Sequence, residues 1–230
     1  MSKRGLDYYR QFEALSPEEN VARLRAARAE QRSRELSRVD ELDLRTTAWH
    51  EPPDPEIVNA ATFALRRSIN RYPEPGAGPA IAAIARHHGV PEGRIALGHG
   101  AGQLLQAALR ELAMGGEAVL PWPSWAALPG LVTRSGAQPV PVPLDASGAV
   151  DLDGLAAAVT ERTRAVVICS PNDPTGTVVD RAQLRAFAES LRPELTVIVD
   201  EALVELAGDD ASMAPLLEDL PNLLVLRSFS

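Results

Sequence analysis

Short apolar runs alternate with helical stretches from about Tyr72 to the last residue of this 230-residue chain. The runs that favour strands are residues 118–120, 139–142, 165–169, 195–199 and 223–226. Most of them are continuously apolar, which is typical of strands that helices cover on both faces. Helical patterns occur near residues 77–88, 102–114, 124–135, 151–160, 180–190 and 211–219. The alternation predicts an α/β fold, a three-layer α/β/α domain with a mostly parallel central sheet.

The first part of the chain predicts a separate helical segment, residues 1–45, before a large domain at residues 46–230. This segment is rich in Arg, Glu and Ala. Ser16 can cap a helix, and Glu19 can complete a capping box with it. The helices expected before the sheet begins cover residues 16–39 and 55–69.

Charge and cysteine usage narrow the class of protein. The net charge is −8, with acids and bases interspersed, which argues against nucleic acid or an anionic membrane surface as a partner. The single cysteine, Cys169, excludes an internal disulfide and lies in a run that predicts a buried strand. No stretch approaches the roughly 20 apolar residues of a membrane span. We therefore expect a cytoplasmic protein, and we predict no metal site.

Polar groups follow the predicted strands, where ligands bind in open α/β sheets. Asp200 follows an apolar run, and a charge there is costly unless a helix cap, a salt bridge or a cationic ligand compensates it. Residues 98–103 are Gly-rich and precede a helix, so they are compatible with either an anion site or a plain turn. Residues 170–176 form a rigid Pro- and Gly-containing turn. Trp125 is compatible with core packing or with stacking on a flat ligand.

Together these segments resemble the class I and II aminotransferases of pyridoxal-phosphate (PLP) fold type I, especially the histidinol-phosphate aminotransferase-like branch. The resemblance covers about residues 45–230 and is more specific for the cofactor than for the substrate. The matching segments are residues 70–75 (Asn-Arg-Tyr-Pro-Glu-Pro), 98–103, 121–125, 171–176, 200–202 and 221–230. In that family a Schiff-base lysine follows directly after the position of Ser230. We therefore expect the large domain to be incomplete here, and the family's C-terminal small domain to lie outside this chain.

The resemblance implies pyridoxal 5′-phosphate as the cofactor. Asp200 would pair with the protonated pyridine nitrogen, and Trp125 would stack on the ring. The resemblance also implies a homodimer, because in that family a tyrosine from the other subunit reaches the phosphate. The residues implied for the phosphate are Ala101, Gly102, Ser228 and Ser230, with Tyr72 from the partner subunit.

The implied function is an aminotransferase that moves an amino group between an amino acid or related amine and a keto acid. The partners would then be a small-molecule amino donor and a keto-acid acceptor. Other PLP reactions on this fold, by a decarboxylase, lyase or oxidase, remain alternatives. A PLP-binding relative without enzymatic activity is a further one.

Two positions depart from the family pattern at one cofactor atom, the phenolic oxygen O3′. Asp173 stands where the family has Asn, and Leu203 stands where it has Tyr. Leu cannot donate a hydrogen bond to O3′, and Asp donates one only when protonated. An ionised Asp173 would instead favour a proton between itself and O3′. Loss of the donors by neutral drift and a reaction other than transamination are the alternatives.

We expect the Schiff base in the full-length protein to hold its proton to higher pH than in the double variant Asp173→Asn/Leu203→Tyr. The reason is that an anionic neighbour stabilises the protonated form. An absorbance titration of both proteins measures the two pKa values. A parent Schiff-base pKa at or below that of the double variant would contradict this hypothesis.

Overall fold

The apolar runs form one five-stranded sheet in a computed structural model that describes residues 16–36, 52–72 and 74–229. The strands are β1 (Glu117–Trp122), β2 (Gln138–Pro143), β3 (Thr163–Cys169), β4 (Thr196–Asp200) and β5 (Leu223–Leu226). Every neighbouring pair is parallel, in the order β2-β1-β3-β4-β5. The predicted α/β fold with a parallel sheet is confirmed.

Helices alternate with the strands from β1 to β4, as the sequence predicts, and further helices precede β1. In the described part of the chain they are α1 (Pro17–Leu36), α2 (Pro55–Ser68), α3 (Gly78–His88), α4 (Ala101–Leu112), α5 (Leu128–Arg134), α6 (Leu152–Ala157) and α7 (Arg181–Ser190). Acidic caps begin two of the helices that follow strands. The Asp151 carboxylate accepts from the N–H of Gly154, and Asp180 accepts from the N–H groups of Ala182 and Gln183.

Alternate strand residues enter two separate apolar cores, one on each face of the sheet. On β3, Val166 and Ile168 pack into a core with residues of α6 and α7, whereas Ala165, Val167 and Cys169 pack into a core with residues of α4 and α5. Successive side chains of a strand point to opposite faces, so two-sided packing requires both sets to be apolar. The domain therefore has the three layers that the sequence predicts.

The segment after β4 differs from its prediction. Residues 211–219 were expected to form a helix, but they contain short 3₁₀ turns at Asp209–Ala211 and Ala214–Glu218. The Ser212 carbonyl, which a helix would use, accepts from Arg181 at 3.0 Å, and the Met213 N–H donates to Glu201. Tertiary hydrogen bonds thus replace the helical ones.

The chain divides into two units, residues 1–50 and 51–230, and α1 is the part of the first that the structure describes. The predicted capping box is confirmed, since the Ser16 N–H donates to Glu19 Oε2 at 2.8 Å and the Glu19 N–H donates to Ser16 Oγ at 3.3 Å. The expected continuation to Val39 and the expected boundary after residue 45 lie outside the described residues. Among the described helices, none is long and apolar enough to cross a membrane.

Candidate functional site

Four adjacent strands, β1, β3, β4 and β5, end at the same edge of the sheet, and the segments that leave them carry most of the residues singled out from the sequence. The register places Cys169 of β3 beside Asp200 of β4, and Asp200 beside Leu226 of β5. The residues gathered at or next to this edge are Ala101, Gly102, Trp125, Asp173, Asp200 and Ser228. This edge is where open α/β sheets bind ligands.

Asp200 is the last residue of β4 and is only 9% exposed. Alternation from Ile198 directs it to the face that α4 and α5 cover. The Ala202 N–H donates to its Oδ1 at 3.0 Å, and within the described part of the chain no cation pairs with the carboxylate. Burial raises the pKa of Asp200 because water no longer solvates its charge. A cation at this position would compensate the buried charge.

The neighbouring thiol of Cys169 adds no charge to the site at neutral pH. Burial, followed by the adjacent Asp200, raises the pKa of Cys169 to about 12. Ser124 and the backbone N–H of Trp125 also interact with this thiol and act in the opposite direction on its pKa. Cys169 is thus a neutral residue that contacts the Trp125 N–H and pairs in register with Asp200.

The start of α4 offers backbone N–H groups beside an aromatic side chain. Gly100 precedes the helix with a φ of 88°, which favours glycine. The N–H groups of Ala101 and Gly102 have no acceptor among the described residues, as expected for a first helical turn. A Cβ at Gly102 would lie 3.4 Å from Cη2 of Trp125. Trp125 therefore lies against the start of α4. Because Gly102 has no side chain there, a ligand could come close to the backbone N–H groups.

The turn after β3 carries Asp173, which is half-buried. The Gly176 N–H donates to the Asn172 carbonyl at 2.6 Å and closes the turn around it. Asp173 is near enough to Cys169 to act on the pKa of its thiol. Leu203, the other position that departs from the family pattern, is also half-buried, three residues after Asp200.

The exit of β5 is held from the opposite face of the sheet. Arg227 bonds Glu205 at 2.6 Å and lies 3.9 Å from Glu201, which is fully buried. Glu201 also accepts from Ser212 Oγ at 2.9 Å. Burial raises the pKa of Glu201, and the hydrogen bonds from the Met213 N–H and from Ser212, together with the charge of Arg227, oppose this shift. Ser228, next to Arg227, is half-buried.

For two residues implied for the phosphate, the predicted role stays untested by the structure. Tyr72 is fully exposed, and its predicted role in a partner subunit stays a prediction. Ser230 lies outside the described residues. Sequence reasoning did not single out Ser124 and Asn172, which are buried and hydrogen-bonded to each other. The available signal was that both are polar residues shortly after predicted buried strands.

The gathered groups fit one kind of ligand. Asp200 supplies a buried acceptor that needs a cation, Trp125 supplies an aromatic face, and the α4 start supplies N–H donors for an anion. A flat cationic ring that bears an anionic group would use all three. PLP has this combination of a pyridinium ring and a phosphate.

Known proteins are similar to this chain over most of its length. The family model of aminotransferase class I and II matches residues 42–230. Aromatic amino acid aminotransferases from Thermobifida fusca and Cutibacterium acnes are 44% and 40% identical to this chain over 181 residues. Each match covers 77% of this chain, and it covers 50% of the first relative and 51% of the second. The chain thus spans about half the length of these relatives.

A solved structure shares the fold. Histidinol-phosphate aminotransferase from Sinorhizobium meliloti, in complex with pyridoxal-5′-phosphate, superposes with a TM-score of 0.70 and 30% identity. The match covers 77% of this chain and 49% of that one.

We expect Asp200→Asn to stabilise the cofactor-free full-length protein at neutral pH by about 1 kcal/mol, because Asn keeps the acceptor for Ala202 and removes a buried charge. The folded pKa of Asp200 is raised, so ionisation destabilises the fold as the pH rises from the unfolded value through the folded one. The gain should vanish below about pH 4, where Asp200 is protonated in both states. Urea unfolding across this pH range measures it.

The matched control is Asp219→Asn. Asp219 is exposed and bonds Arg185 at 2.7 Å, so its neutralisation should lower stability slightly or not at all. An Asp200→Asn variant that is no more stable than the parent at neutral pH would show that the charge of Asp200 is already compensated.

Proposed function

Because the chain belongs to the aminotransferase class I and II family, we propose that the full-length protein is a PLP-dependent aminotransferase. Its reaction would move an amino group between an amino acid or related amine and a keto acid. The observation that carries the proposal is the carboxylate of Asp200, which is buried at the end of β4 and has no cation among the described residues. Asp200 pairs in register with Cys169, whose thiol the Trp125 N–H contacts.

The residues of this chain would divide the binding of the cofactor between them. Asp200 would hold a proton on the pyridine nitrogen, and Trp125 would orient the ring by stacking. The phosphate would accept from the N–H groups of Ala101 and Gly102, where the helix dipole also favours an anion. Ser228, Ser230 and the partner subunit's Tyr72 would complete the phosphate site. Bound in this way, PLP supplies an electron sink for the substrate's α-carbon.

Proton control at the site would come from Asp200, from Asp173 and from the lysine that we expect after Ser230. Asp200 would keep the ring cationic. Asp173, with its half-buried carboxylate, would favour a proton at the O3′ side of the ring. The lysine would serve as the general base at the α-carbon.

We propose aromatic amino acids as the first class of amino donor to test. Support comes from the names of the two curated relatives at 44% and 40% identity. The S. meliloti neighbour, at 30% identity, makes histidinol phosphate the second donor. A homodimer is part of the proposal, since Tyr72 is fully exposed and would act in a partner subunit. A cytoplasmic location remains our proposal from the composition.

The test is a donor screen with the full-length, PLP-loaded protein. We expect phenylalanine, tyrosine or tryptophan to yield more than one equivalent of the matching keto acid per active site only when a keto-acid acceptor is present, because the cofactor itself can accept just one amino group. Histidinol phosphate should react more slowly. Asp200→Ala should lower the turnover on the order of 10²-fold, because it removes the charge that stabilises the pyridinium. Chromatography of the keto acid measures the rate.

Two outcomes would contradict the proposal. Acceptor-independent release of CO₂ from the donor would indicate a decarboxylase, one of the alternatives that the sequence leaves open. If the full-length protein bound no PLP, this result would indicate a family relative that does not use the cofactor. The exposed variant Asp219→Asn, with parent-like turnover, serves as the control.

A further inference from the structure

A buried hydrogen bond joins the loop after β1 to the turn after β3. Ser124 Oγ donates to Asn172 Oδ1 at 2.8 Å, although the two residues are 48 positions apart. Ser124 is 4% exposed and Asn172 is 1% exposed. Hydrogen bonds buried in this way are stronger than exposed ones, since water does not compete for either partner.

Asn172 uses all of its polar groups to hold these two segments. Its Nδ2 donates to the Pro123 carbonyl at 3.2 Å and to Thr175 Oγ1 at 2.9 Å. Its backbone N–H donates to the Thr177 carbonyl at 2.8 Å. Asn172 therefore stabilises its own turn and links that turn to the loop that contains Ser124.

Each partner of this bond directly precedes a residue of the proposed cofactor site. Ser124 precedes Trp125, whose Cη2 lies near Gly102, and Asn172 precedes Asp173. Ser124 and the Trp125 N–H also contact the Cys169 thiol, which pairs in register with Asp200. The bond thus joins the segments that carry Trp125 and Asp173, and through Cys169 it adjoins Asp200.

We propose that Ser124 and Asn172 are positioning residues that hold Trp125 at a fixed place relative to the Asp173 turn. This inference rests on the proposed function for its consequence, the fixed orientation of the PLP ring. The hydrogen bond itself holds Trp125 whether or not the cofactor is bound. The two parts can therefore be tested separately.

A second buried serine provides a matched control. Ser135 is 2% exposed, and its hydroxyl donates to the Leu131 carbonyl at 2.9 Å at the end of α5. Ser135→Ala removes a buried hydroxyl as Ser124→Ala does, but it leaves the loop of Trp125 bonded. Ser124→Thr keeps the hydroxyl at the position of interest and serves as the rescue variant.

The experiment uses the full-length protein with Trp125 as its only tryptophan, after Trp49, Trp122 and any others are replaced by Phe. Quenching of Trp125 fluorescence by acrylamide is measured without cofactor, and PLP affinity and visible circular dichroism are measured with it. We expect Ser124→Ala to raise the quenching constant, to weaken PLP binding about tenfold and to reduce the dichroic band. Ser135→Ala and Ser124→Thr should match the parent in all three.

Equal quenching and equal PLP affinity in Ser124→Ala and the parent would overturn the proposal and leave the bond a structural role only. If Ser124→Ala does not fold, Ser124→Cys takes its place, since the thiol has a similar size and donates only weakly. A parent that binds no PLP would refute the proposed function, and the quenching comparison would still decide whether the bond positions Trp125.

Discussion

Helices cover both faces of the parallel sheet, and this two-sided burial decides where the chain can do chemistry. Strand interiors must be apolar under such packing, as Val166 and Val167 on opposite cores illustrate. A polar side chain can then meet a ligand only where a strand ends. Asp200 occupies such a position, because it is the last residue of β4. It is buried, and it has no cation among the described residues.

The contrast between two consecutive carboxylates shows what distinguishes Asp200. Glu201 is more deeply buried, but Ser212, the Met213 N–H and Arg227 compensate it on one side of the sheet. Asp200, on the other side, accepts one backbone N–H. Burial raises the pKa of both carboxyl groups, yet among the described residues only Glu201 has a cation nearby, Arg227. The uncompensated charge of Asp200 destabilises the cofactor-free protein, and a pyridinium ring would compensate that charge.

The sequence predicted the features that depend on local pattern. The five strands, the capping box of Ser16 and Glu19, and the polar strand exits all follow from the order of apolar and polar residues. Features that depend on distant partners were not predictable. The link between Ser124 and Asn172 joins positions 48 residues apart. In place of the helix expected over residues 211–219, the Met213 N–H donates to Glu201 and the Ser212 carbonyl accepts from Arg181. The role of Tyr72 depends on a second chain.

We propose above all that Asp200 supplies the counter-charge for a protonated ring nitrogen of the bound cofactor. The most direct measurement is ¹⁵N NMR of the full-length protein reconstituted with PLP that carries ¹⁵N in its pyridine ring, compared with Asp200→Asn. We expect a pyridinium signal in the parent at neutral pH and a neutral pyridine signal in the variant. A neutral pyridine nitrogen in the parent, or a pyridinium in both proteins, would contradict it.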